Sequence, residues 1–133
     1  MTNTHFKPEG YASVSPYLIV TDAQVVIDFL ATVFDAKPLR RYERPDGSVM
    51  HAEVLLDDTV VMLGESTDEW TSTPCTLHVY VPDVDAAFKR AVDAGATVIQ
   101  DPMRKDDDPD RRGGFVGPGG NQWWVSTQVV SES

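Results

Sequence analysis

The chain has 133 residues, 41% hydrophobic and 24% charged, which fits one soluble globular domain able to bury its own core. Eleven basic against 21 acidic residues give a formal charge of −10, which argues against a nucleic-acid partner, because such binding rests on neutralising phosphates. A single cysteine, Cys75, excludes an intramolecular disulfide, and no run of 18 apolar residues exists to span a membrane, so a cytoplasmic protein with no membrane partner is expected.

Residues 1–11 read as a loosely held arm ending at Pro8–Glu9–Gly10. Residues 13–20 alternate as a strand, with Val14, Pro16, Leu18 and Val20 on one face and Ser15, Tyr17 and Ile19 on the other. Thr21 or Asp22 caps a helix to about Asp35, whose Val25, Val26, Phe29, Leu30 and Val33 recur at helical spacing. A strand is predicted near 38–44, and Pro45–Asp46–Gly47 is a turn signal.

Residues 48–56 and 59–65 predict a hairpin around Asp57–Asp58. Its register puts Met50, Ala52, Val54, Val61, Leu63 and Glu65 on one face, and His51, Glu53, Leu55, Val60 and Met62 on the other. The first face is expected to line a cleft. His51 and Glu53, two apart on one strand, have the spacing of a metal or acid–base pair, but they are expected at the helix layer or a subunit interface. The polar stretch 66–74 links to a second half and carries Trp70.

That second half repeats the first. Val20–Thr21–Asp22 stands 61 positions before Val81–Pro82–Asp83. A strand at 75–81 leads to Asp83 as helix cap, to the stripe Val84, Ala87, Phe88, Ala91 and Val92, and to Gly95 as the residue that ends the helix. A strand at 96–100 follows, then a charged loop at 101–112, then strands at 113–117 and 121–128. Each half is βαβββ, with module 1 at about 12–66 and module 2 at about 75–129 of a single domain. Such a repeat predicts an α+β fold of two similar halves around a shared open cleft.

The stretches Pro8–Glu9–Gly10–Tyr11, Pro16–Tyr17–Leu18–Ile19–Val20, Met50–His51–Ala52–Glu53, Val60–Val61–Met62–Leu63 and Thr76–Leu77–His78–Val79–Tyr80–Val81 stand in one order along this plan. In that order the chain resembles the vicinal oxygen chelate superfamily, which includes glyoxalases, bleomycin-resistance proteins and extradiol dioxygenases, and within it the PhnB-like branch. The resemblance implies a homodimer with composite clefts and a small-molecule ligand. It implies metal-ligand positions at Ser15, Leu63, Thr76 and Trp124, none of which is an imidazole or a carboxylate. No metal and no cofactor are therefore expected. The branch's aromatic–Gly–Asp–Arg stretch is matched here only by Asp110–Arg111, and its Asp–Pro–Phe–Gly–His turn is replaced by Gly117–Pro118–Gly119–Gly120–Asn121.

Within the expected cleft, His78 shares a strand face with Thr76 and Tyr80 and offers a base near neutral pH; hydrogen bonding within the sheet is the competing reading. Glu65, at a strand end on the cleft face, offers a second base or a cation contact, against a solvated strand end. Arg111 offers a bidentate clamp for an anionic group, or a pair with Asp110 or Asp106–Asp108 of its own loop. Tyr17, Met50, Tyr80, Phe115 and Trp124 supply aromatic and sulfur walls suited to a flat organic ligand, with Trp123 under a helix. The expected function is metal-independent binding of a small organic molecule, of which a cationic aromatic one would suit the charge. The alternative is a lyase or isomerase of the glyoxalase type, with His78 or Glu65 as base or with a relocated metal site.

Overall fold

The computed structural model describes residues 4–131. Two four-stranded sheets and two helices make an α+β fold of tandem βαβββ modules, as the repeat predicts. The first module runs β1 (Tyr17–Val20), α1 (Ala23–Phe34), β2 (Lys37–Glu43), β3 (Val49–Leu56) and β4 (Thr59–Glu65). The second runs β5 (Thr76–Tyr80), α2 (Val84–Asp93), β6 (Thr97–Met103), β7 (Asp110–Val116), a 3-10 turn at Pro118–Gly120 and β8 (Gln122–Gln128). Strand order is β1-β4-β3-β2 in one sheet and β5-β8-β7-β6 in the other. Each module's first strand pairs parallel to its last, and the remaining pairs are antiparallel.

The repeat extends to dihedral angles. Asp22 caps α1 at φ −139°, ψ 97°, and Asp83 caps α2 at φ −141°, ψ 98°. Each carboxylate accepts from the backbone N–H three residues on, Val25 and Ala86, satisfying a donor that the helix leaves unpaired. Gly95 at φ +99° follows α2, in a conformation that costs a side-chain-bearing residue more.

Three boundaries differ from expectation. Strand β1 begins at Tyr17 rather than 13, directly after Pro16, which has no N–H for a ladder. The charged segment 101–112 is mostly strand: β6 runs to Met103 and β7 starts at Asp110, leaving a loop at 104–109. That extension is held by Gln100, whose amide donates to the Arg112 carbonyl, and by Arg112, whose guanidinium pairs with Asp108 and Asp110.

One apolar cluster spans both modules. Helix α1 covers its own sheet with Val26, Leu30 and Val33, and also meets the second module. Phe29 packs edge-on to Phe115 at 6.0 Å, and Phe34 lies 5.5 Å from Trp123. Arg90 of α2 donates to the Val33 carbonyl at the end of α1 through two nitrogens. The halves thus meet through their helix-covered faces, and the opposite face of each sheet remains open.

Candidate functional site

Alternation along β3 and β4 sorts side chains into the two sets read from the sequence, but the sets face the other way. Ala52, Val54, Val61 and Leu63 lie in the core beneath α1. An apolar helix stripe requires an apolar partner, and this set supplies it. His51, Glu53 and Met62 take the open face with Tyr17. Leu63, fully buried, therefore lines no cleft. Met50 is exposed, because a register shift in the β2–β3 ladder gives Val49 to the core instead.

The open face of the first sheet carries a hydrogen-bond chain. Tyr17 Oη lies 2.7 Å from His51 Nδ1, and His51 Nε2 lies 2.7 Å from Glu53 Oε2. The second Glu53 oxygen accepts from Tyr11 Oη, brought in by the N-terminal arm, and Arg40 stands 4.0 Å away over the Tyr11 ring. The Glu53 side chain is 3% exposed. Burial alone would raise its pKa; the bonds from His51 and Tyr11 and the Arg40 charge are among the effects that outweigh burial and hold it below the ordinary carboxylate value. Tyr17 is shifted up, by burial first and by the Glu53 charge second, with Arg44 opposing.

Trp70 forms one wall. The turn Thr67–Trp70 is closed by backbone bonds in both directions and by the Thr67 hydroxyl accepting from Trp70 N–H. This sets the indole over Gly64, where a Cβ would stand 2.8 Å from the ring, and edge-on to Tyr17 at 5.6 Å.

The open face of the second sheet repeats this inventory on different strands. Trp124 lies over Gly114, where a Cβ would stand 2.7 Å from the indole. His78 Nε2 lies 2.8 Å from Ser126 Oγ, and its ring meets Tyr80 edge-on at 4.8 Å. Tyr80 Oη donates to Asp110, a carboxylate only 4% exposed, which Arg112 also contacts. Burial and the nearby Arg112 charge push the His78 pKa down, with Asp110 opposing, so the imidazole is held toward its neutral form. Ser126 is fully buried and orients His78; it is not presented as a nucleophile.

Thr76, His78, Tyr80 and Trp124 thus share the second open face, and Tyr17 lies on the first. Ser15 precedes β1 and is half-buried. Phe115 is fully buried in the core and leaves the set of wall residues. Glu65 points to the helix side, where its carboxylate accepts from Ala23 N–H at the start of α1; that position makes it a helix-capping group and removes it as a base. Arg111 alternates away from the open face and grips Asp85 of α2 through two 2.9 Å bonds, so neither its ligand-clamp reading nor its own-loop reading holds. Its neighbour Arg112 takes the open face. His51 and Glu53, weighed as a pair but expected at the helix layer or a subunit interface, and Asp110, Arg112 and Trp70 were not among the expected site residues. The signals present were the His51-x-Glu53 and Asp110-x-Arg112 spacings, each of which puts two ionisable groups on one strand face.

The donor set does not fit a divalent metal. Met62, not Leu63, takes the open-face place on β4, and neither it nor Ser15, Thr76 or Trp124 is an imidazole or carboxylate. Among the described residues no three His, Cys, Asp or Glu side chains converge as a metal site would require.

A family model described as the Glyoxalase/Bleomycin resistance protein/Dioxygenase superfamily matches residues 10–125. The chain belongs to that superfamily. An uncharacterised protein of Mycobacterium bovis is 37% identical over 131 residues, covering 88% of this chain and 84% of the relative. TioX from Micromonospora sp. ML1 is similar in structure, with a TM-score of 0.74 and 25% identity over 88% of this chain and 98% of that one. A PhnB protein from Bacillus cereus shares the fold at a TM-score of 0.72 and 17% identity, over 87% of this chain and 99% of that one. The PhnB-like likeness read from the sequence motifs thus has a structural neighbour. Among the described residues of this superfamily member, no helix is long and apolar enough to cross a membrane.

Proposed function

We propose that this superfamily member binds a small organic molecule without a metal, in a cytoplasmic homodimer that sets the first open face of one copy against the second open face of the other. The observation that carries this reading is the repetition of chemistry on the two faces. Each has an indole laid on a glycine, a hydrogen-bonded histidine beside a tyrosine, and a buried carboxylate that takes a tyrosine O–H. Aromatic walls with a few fixed polar groups suit a flat ligand. Exposure of Tyr42, Met50 and Tyr80 in the single chain is what a second copy would relieve. The net charge of −10 favours a ligand carrying positive charge.

A second reading is favoured by His78. When neutral His78 carries its proton on Nε2 and donates it to Ser126 Oγ, Nδ1 is left to take a proton from a bound molecule, as a lyase or isomerase would need. Screening flat organic cations by thermal shift, then incubating binders and following them by mass spectrometry, separates the two. Unchanged ligand supports binding alone; conversion that His78→Gln abolishes supports catalysis. No binder among flat organic cations contradicts the cationic-ligand reading.

A further inference from the structure

The Tyr11–Glu53–His51–Tyr17 chain fixes a hydrogen-bonding polarity at the first open face. An ionised carboxylate only accepts, so Glu53 Oε2 requires the proton on His51 Nε2. In the neutral ring Nδ1 is then the acceptor, and Tyr17 must spend its O–H on it. What remains on Tyr17, whose side reaches solvent at 37% exposure, is a pair of acceptor sites on the phenolic oxygen. They stand beside the Trp70 indole, which Tyr17 meets edge-on.

We propose that this face is a specific subsite for an aromatic ligand bearing an O–H or N–H donor, in which Tyr17 Oη accepts that hydrogen and Trp70 packs on the ring. The proposal rests on the reading that the open faces take small molecules, and adds which group recognises what. Glu53 and His51 act through Tyr17 as positioning residues. A tyrosine alone would rotate its O–H and take either a donor or an acceptor. One whose proton is committed rejects a ligand that lacks a donor, because the oxygen is then left without a partner.

Phenol and anisole test this on the intact protein by NMR at pH 7.5. The pair share a ring and differ in the donor. The Trp70 indole signal is assigned by its loss in Trp70→Phe. Phenol should shift the Trp70 and His51 signals and bind roughly three- to tenfold more tightly than anisole, the worth of one hydrogen bond. In Tyr17→Phe that ratio should fall to about one, since the acceptor is gone. Equal binding of the two probes to the unaltered protein would overturn the proposal, as would a phenol preference that survives Tyr17→Phe. Shifts at His78 and Trp124 alone would overturn it while leaving the small-molecule reading intact. Shifts nowhere would remove both. A measurement without any variant is the nitrogen-15 spectrum of His51 at pH 7.5: the proposal requires a neutral ring with its proton on Nε2, and either an Nδ1–H tautomer or a doubly protonated ring would overturn it.

Discussion

Trp124 lies on Gly114 so closely that a Cβ there would come within 2.7 Å of the indole. Gly114 belongs to β7 and Trp124 to β8, and the two residues are direct partners in the ladder. The glycine removes the side chain that would otherwise hold the indole off the sheet. Gly114→Ala should therefore lift Trp124 from the open face and cost about 1–3 kcal/mol, in the range of overpacked sites. Urea unfolding measures the loss, and the near-ultraviolet circular dichroism of the tryptophans should change with it.

Glu53 predicts the acid limb of stability. Its folded pKa lies below that of the unfolded chain, so unfolding takes up a proton in acid. The stability it contributes is complete above the ordinary glutamate value of about 4.3 and is lost as the pH falls through the lower folded value. Urea midpoints from pH 6 to pH 3 should fall more steeply for the unaltered protein than for Glu53→Gln, which cannot titrate. Parallel curves would mean that the carboxylate gains nothing from Tyr11 and His51.

His78 is pushed down by burial and by Arg112. Its folded value therefore lies below the ordinary histidine value of about 6.5, and its contribution to stability is present above that value and lost as the pH falls through the folded one. Arg112→Gln should move the His78 titration upward, toward the ordinary value, as read from its ring carbon proton by NMR. A downward movement would contradict the placement of Arg112 on this face.

Arg111→Gln should leave small-molecule binding unchanged. Its guanidinium is already engaged by Asp85 on α2, a partly exposed pair of the kind that contributes little. Calorimetry with any binder found by screening checks this, and a lost affinity would return Arg111 to the site.

The fold was legible because its signals are local. Asp22 and Asp83 announce their helices, the Asp57–Asp58 hairpin fixes a register, and the 61-residue repeat confirms one half by the other. What was not legible was which face of β3 and β4 the helix would cover. Alternation places Leu63 opposite Met62, but only packing against Val26, Leu30 and Val33 decides which of them is buried. That single reversal moved Leu63 and Glu65 off the site and brought His51 and Glu53 onto it. Arg111 and Arg112 are the same case on β7: adjacent residues face opposite ways, and the partner that tells them apart, Asp85, lies 26 positions away. Tyr11 could not be assigned at all from local pattern, since its contact with Glu53 spans 42 residues.

The most direct measurement is native mass spectrometry with elemental analysis of the protein purified without chelator. A dimer of 14.7 kDa chains with no stoichiometric metal, carrying a retained organic mass or gaining one from a ligand screen, is the predicted result. Zinc, nickel, manganese or iron near one per chain would contradict the account, because the expected ligand positions, Ser15, Thr76 and Trp124 with Met62 on β4, offer no imidazole or carboxylate.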